Sequence, residues 1–475
     1  MARARMTLLD EREQDLIHEQ SLKWLKEIGV KIHSLSVLEL LGERGAAIDR
    51  ETRIAKISEK MVEEALKTAP RAFTLCARDP KHDLPMPTRA APHATTSGLA
   101  VFIVDLETGE YRSSTRSDIA ELSRLGDALE PIDFLWTSLT ATDVPELAHG
   151  PHEVWLTMQN TTKHVQGVTV QSAEDARVQI ELAALIAGGV EALKKRPLLS
   201  MIACPLAPLG FETGAVEAQV EFAKAGVPIC SMSMSMSGGT APVTISGTIA
   251  NANAENLASL VITQAAAPGA PHVYTSESAP MDMRTGAMNY SALEKTLFSI
   301  GLGEMARRYG LPCLVADIGF GDMLQGGIAP PHILANQFLG VPCHTDIVTG
   351  MGSVDGAKGM CLKQMVIDAY VWEWLRGYMK QVEISEATIG FEAAAEVGPG
   401  SDFLRSKHTK KYLRSDLTFG DPAKLNLLAK NAADMLAEAK SIAKAHLEDH
   451  VVPPLDEGLV HEGDEIIRAY EKQVG

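Results

Sequence analysis

Three stretches of this 475-residue chain concentrate side chains able to do chemistry. The first, SESAPMDMRTGAMNY (276–290), sets Glu277, Asp282 and Arg284 among methionines. Asp282 and Arg284 either pair with each other and fix the loop or serve a ligand. A carboxylate at Glu277 is costly to bury unless a cation pairs with it, and a cationic substrate is one such partner. The second stretch, VADIGFGDMLQGG (315–327), offers Asp317, Phe320, Asp322 and Gln325 among glycines that permit tight turns and close backbone approach. No lysine follows in Walker spacing and no GxGxxG opens a helix, which argues against a phosphate cradle. The third, VPCHTDIVTGMGSVDG (341–356), holds His344 and Asp346, which share a face if the segment is a strand. A lone histidine in an apolar strand is more often a satisfied core group than a catalyst. Cys343 and His344 are adjacent and point to opposite faces, so they make a poor nucleophile pair. A methionine–serine run, SMSMSMSGG (231–239), alternates strictly and leaves open which side chains face a ligand.

These stretches lie at the ends of short apolar runs that repeat along the chain. The runs are 99–105, 134–141, 164–170, 198–206, 228–236, 272–278, 313–320 and 343–351, and helical stretches separate them. Strands alternating with helices demand a parallel sheet, because each parallel return needs a crossover. Eight such strands close a (β/α)8 TIM barrel, which places the chemistry at the strands' C-terminal ends. That rule selects Thr140, Gln171, Cys204, Met234, Met236 and Tyr274, together with Glu277, Asp317, Phe320, His344 and Asp346. Glu277 points to the barrel mouth if Tyr274 does not. Residues 1–96 read as an N-terminal helical subdomain and linker, with helices near 10–27, 36–44 and 58–68 and an extended stretch at 71–92. Residues 97–380 read as the barrel, and 381–475 as a C-terminal helical extension packed on it.

Composition narrows the function class. The chain holds 44 basic and 61 acidic residues, for a net charge of −17. Such a surface repels phosphate backbones and anionic lipid, so neither nucleic acid nor a membrane is an expected partner. No run reaches the ~20 apolar residues of a membrane span, and MARARMTLLDEREQ lacks the apolar core of a signal peptide. The expected location is the cytoplasm. The six cysteines lie far apart with no CxxC pair, so disulfides are not expected and no zinc site is signalled.

Further segments carry a resemblance. DLETGEYRSSTRSDIAELSRL (105–125), EVWLTMQNTTKHV (153–165), MDMRTG (281–286) and ARRYGLP (306–312) are followed by QMVIDAYV (364–371) and VGPGSDFLRSKHTKKYLR (397–414). In these stretches the chain resembles the trimethylamine/glycine betaine corrinoid methyltransferase family. The resemblance implies a barrel that moves a methyl group to cob(I)alamin carried by a separate corrinoid protein, with no tightly bound cofactor of its own. The trimethylamine enzymes of that family carry pyrrolysine, whereas this chain contains only the twenty standard residues. A tertiary amine must first be made a better leaving group; a quaternary ammonium leaves as a neutral amine without help. The resemblance therefore implies a quaternary amine, with glycine betaine favoured, and no acid–base pair. It places Tyr274, Phe320, Glu277 and Asp317 near the ammonium head and His344, Arg284 or Gln325 near a carboxylate tail. Helices outside the barrel suggest a homo-oligomer.

Two other classes stand beside this reading. A zinc-dependent corrinoid methyltransferase for a thiol or alcohol would use Cys343, His344 or Cys361 as ligands. A non-catalytic betaine-binding barrel would hold the same ligand without turning it over. A barrel aldolase would place a lysine at a strand end, and none of the eight runs does so.

Overall fold

The computed structural model describes residues 4–88, 90–319, 331–340, 343–417 and 419–474. Eight parallel strands form a closed barrel: β1 (His93–Thr96), β2 (Phe134–Trp136), β3 (His164–Gly167), β4 (Leu199–Ala203), β5 (Ile229–Ser233), β6 (His272–Ser276), β7 (Cys313–Asp317) and β8 (Ile347–Met351). The helices that follow them in turn are α1 (Arg116–Ala128), α2 (His149–Gln159), α3 (Ala173–Ala187), α4 (Thr213–Lys224), α5 (Ile245–Ala266), α6 (Leu293–Tyr309), α7 (Pro331–Gly340) and α8 (Leu362–Leu375).

Seven strands fall within the apolar runs of the sequence; the first does not. β1 is His93–Thr96, a short polar sequence that closes the barrel between β8 and β2. The apolar run assigned to it instead supplies Phe102–Val104, which joins Tyr111–Ser113, Ser353–Val354 and Gly359–Cys361 in a small sheet. That sheet ties the loops after β1 and β8 together beside the mouth. Its apolar residues are buried outside the barrel, which is why hydrophobicity alone pointed to the wrong segment. The barrel thus begins ahead of residue 97.

Phe134, Cys230, Val273, Leu314 and Ile347 pack in the barrel interior. Beneath them lies a hairpin of Phe73–Leu75 and Leu84–Met86, whose Leu75, Leu84 and Met86 join the same cluster. This part of the stretch read as linker is therefore the floor of the barrel.

The N-terminal helices Glu11–Glu27, Leu35–Glu43 and Glu59–Thr68 start where Asp10, Ser34 and Ser58 accept backbone N–H bonds as caps. They cover α5, whose length is buried nearly throughout although it has little amphipathic pattern. Helix Ala432–Asp449 packs on α1 and α8. Helix Glu457–Val474 packs on α2 and α3, where Ile467 and Tyr470 bury against Trp155 and Leu182, and the Trp155 indole donates to Asp464 at 2.8 Å. Among the described residues no helix is long and apolar enough to cross a membrane.

Candidate active site

A cavity of about 390 Å³ opens at the C-terminal end of the strands, a size suited to a small molecule. Every strand contributes to its wall. Ser97 follows β1, Trp136 ends β2 and Val168 follows β3; Ile202 and Cys204 come from β4, Met232 and Met234 from β5. Glu277, Asp317 and Thr349 complete the ring from β6, β7 and β8, and Tyr290 leans in from the loop after β6.

The methionine–serine alternation resolves in favour of methionine. Met232 and Met234 face the cavity. Ser233 and Ser235 turn to α5, where Ser233 donates to the Glu255 carboxylate at 2.5 Å and Asn251 donates to Ser235 at 2.7 Å. The helix supplies polar partners for the serines, while the thioethers give the cavity a polarizable apolar wall.

The charged part of the site is a line of three side chains. Lys295 Nζ lies 3.0 Å from Glu277 Oε2 and 3.8 Å from Asp317 Oδ2. Lys295 sits in the first turn of α6, where the helix dipole disfavours a cation; the two carboxylates offset that. Burial alone would lower its pKa, but Glu277 and then Asp317 more than reverse the effect, so the ammonium is held above the ordinary lysine range. Burial pushes the Glu277 carboxyl up, Lys295 opposes that and Asp317 adds to it. Glu277 Oε1 is buried and has no hydrogen-bond partner among the described residues. Burial and then the Glu277 charge push the Tyr290 phenol up to about 12, so it stays neutral near neutral pH.

Two glycines make this arrangement fit. Gly350 has φ +113°, and a Cβ there would lie 2.0 Å from Asp317 Oδ1. A Cβ on Gly98 would lie 2.9 Å from the Trp136 ring and 3.0 Å from Val168. The backbone after β1 therefore packs directly on the indole and fixes its face.

Of the residues expected at a site, the structure brings Glu277 and Asp317 together at the cavity. Tyr274 is not there: it lies on the outer face of β6, and its hydroxyl donates to Asn253 on α5 at 3.0 Å. His344 precedes β8 and lies at the opposite end of the barrel, where its carbonyl accepts from Arg307. Arg284 is 88% exposed and pairs with Asp282 at 3.4 Å, so the two fix their own loop. Phe320 and Gln325 lie outside the described residues. Of the other strand-end candidates, Thr140 donates to Glu153 on α2 and Gln171 to the Glu146 carbonyl, both away from the cavity. Cys204 does open on it; enclosure by protein pushes its thiol up to about 12, which keeps it a neutral thiol. Among the described residues no group of three or more His, Cys, Asp or Glu is arranged to hold a metal.

Trp136, Tyr290 and Lys295 escaped the sequence reading. Trp136 ends its strand earlier than the apolar run does, and Tyr290 lies well beyond β6 although within the first chemical stretch. Lys295 arrives by the return of the chain into α6, and a buried lysine in a first helical turn next to an inward glutamate is the signal that was there to find.

Comparison with known proteins bears on the family and the fold. The family described as trimethylamine methyltransferase (MTTB) matches residues 2–475. A trimethylamine methyltransferase MttB from Desulfitobacterium hafniense is 29% identical over 466 residues, 97% of this chain and 93% of that protein. A glycine betaine methyltransferase from another strain of the same species is 28% identical over 484 residues, 98% of each. The crystal structure of the Methanosarcina barkeri monomethylamine methyltransferase (MtmB) superposes with a TM-score of 0.57 at 13% identity, covering 94% of this chain and 89% of that one, which is a likeness of fold.

Proposed function

The chain belongs to the trimethylamine methyltransferase family and is a methyltransferase, and from that premise we propose that its methyl donor is a quaternary amine and its acceptor a corrinoid carried on a separate protein. The observation that carries the donor class is a set of two carboxylates, Glu277 and Asp317, sharing the single ammonium of Lys295, which leaves one negative charge in excess when Glu277 is ionised, in one cavity with the Trp136 indole. A trimethylammonium group is a large, weakly hydrated cation without a proton to donate. It is held by aromatic faces, polarizable thioethers and nearby negative charge, and this wall offers all three. Glycine betaine, favoured from the sequence, has a head group of this kind.

The acceptor side of the proposal is supported by the rim. Leu99 and Val101 are each 41% exposed, Leu206 59%, Val243 72% and Met283 74%, all in loops that follow barrel strands. An apolar, open rim suits the approach of a flat macrocycle held by another protein. The corrinoid would supply the nucleophile that accepts the methyl group.

The protein's own part is positioning. The bonding pair of the broken C–N bond stays with nitrogen, so a neutral tertiary amine departs and no proton is needed there. The cavity wall fixes the methyl group toward the mouth and excludes water from the reacting atoms. The excess negative charge of the Glu277–Lys295–Asp317 set, present when Glu277 is ionised, attracts the donor most strongly while it is still fully cationic. It therefore serves binding and orientation more than rate, and favours release of the neutral product. The test is to mix the protein with free cob(I)alamin and a panel of quaternary and tertiary amines and follow the cobalt spectrum. Methylation from at least one quaternary amine is expected; methylation from tertiary amines alone overturns the donor assignment.

A further inference from the structure

We infer that the quaternary amine accepted here has an uncharged tail, a hydroxyl or alkyl group, and not a carboxylate. The inference rests on the function proposed above and sharpens it to a charge class. Glu277, Lys295 and Asp317 form a closed set: the single ammonium is already shared between two carboxylates at 3.0 and 3.8 Å. The set is neutral when Glu277 carries a proton and has one negative charge in excess when it does not. In neither state does it present a spare positive charge to an anion.

Nothing else among the described residues of the wall supplies one. Among the described residues lining the cavity there is no lysine, arginine or histidine. Of the residues expected to receive a carboxylate, His344 is at the floor, Arg284 is exposed and occupied by Asp282, and Gln325 lies outside the described residues. α6 begins beside the cavity without a side-chain cap, but its positive end is where Lys295 and the two carboxylates already sit. What the wall offers a tail is neutral hydroxyl oxygens: Thr349 donates to the Thr96 carbonyl and Tyr290 to the Met288 sulfur, which leaves each an oxygen that can accept. These exchange hydrogen bonds with a neutral hydroxyl at no cost in charge. A carboxylate placed among them would lose its water without gaining a cation, and would face Asp317 and Glu277 across a low-dielectric space.

Choline and glycine betaine share the trimethylammonium head and differ in tail charge, and tetramethylammonium has no functional tail. Equilibrium binding of all three to the full chain by calorimetry is expected to rank choline and tetramethylammonium at least tenfold tighter than glycine betaine. At a pH on the plateau where Glu277 is ionised, Glu277→Gln is expected to narrow the gap between choline and betaine at least threefold, because it removes negative charge from the set. Glycine betaine binding as tightly as choline overturns the inference, and so does an unchanged gap in Glu277→Gln. Methyl transfer to free cob(I)alamin reads separately: tight choline binding with no transfer from any quaternary amine contradicts the proposed function, whereas transfer from betaine with betaine bound preferentially contradicts only the tail assignment.

Discussion

The barrel holds a buried carboxylate at each end, and the two are treated differently. At the floor Asp346 is fully buried and accepts from Arg307 at 2.7 Å, from the Cys313 amide at 2.9 Å and from the Thr88 amide at 3.0 Å. Both of its oxygens are used. At the mouth Glu277 has one oxygen on Lys295, while the other has no partner among the described residues. A saturated carboxylate ties strands and floor together; an unsaturated one beside a cavity keeps capacity for a ligand. The comparison shows how one fold separates stability from chemistry along its axis.

The sharpest way to break the comparison is to remove the floor group. Asp346→Ala leaves Arg307 with only the His344 carbonyl among the described residues, and two amides without their acceptor, and loss of one partner from a buried pair costs about 3–5 kcal/mol. Thermal unfolding should show a large fall in Tm, with Kd for choline in the folded protein within about twofold of wild type. A weakened Kd at unchanged Tm would reverse the roles assigned to the two ends.

Glu277→Gln is the reciprocal change. Asp317 still faces Lys295, so the Tm falls much less than in Asp346→Ala. KM for the quaternary amine should rise at least tenfold, about 1.4 kcal/mol, with a smaller change in kcat. A fall in kcat at constant KM would mean that the carboxylate acts in the transition state instead. Tyr274→Phe should cost about 1 kcal/mol of stability through its lost bond to Asn253, measured by chemical denaturation, with methyl transfer retained.

The smallest expected effect is one of pH. Burial raises the Glu277 pKa above the ordinary carboxylate value, Lys295 is held protonated and Tyr290 is pushed up to about 12, so of the three Glu277 is the group that gains negative charge first as pH rises. Only its ionised form adds attraction for a cation. Affinity for choline should therefore rise severalfold as pH increases through that pKa and then level off. Glu277→Gln should flatten the profile, and a profile unchanged by the substitution would point to a different group.

The residues themselves show what was readable. Alternation along β6 puts Tyr274 and Glu277 on opposite faces, so both could not reach a ligand, although both were expected at the ammonium head. Tyr274 found its partner on α5, a contact between segments that no local pattern encodes. His344 was misplaced because the apolar run at 343–351 begins before its strand; β8 starts at Ile347, which leaves His344 and Asp346 below the barrel. Asp317 stood at the strand end as expected, although the register shifts between Leu314 and Ala316. The eight-stranded barrel was legible from strand–helix alternation, except at β1, whose four residues His93–Thr96 carry little hydrophobic signal.

A crystal structure of the protein with tetramethylammonium tests the central claim most directly. The cation is expected inside the barrel mouth, its nitrogen within about 6 Å of the Trp136 ring and on the side of Glu277 and Asp317. A cavity that stays free of the cation at saturating concentration, or a cation bound only on the outer surface, would contradict it.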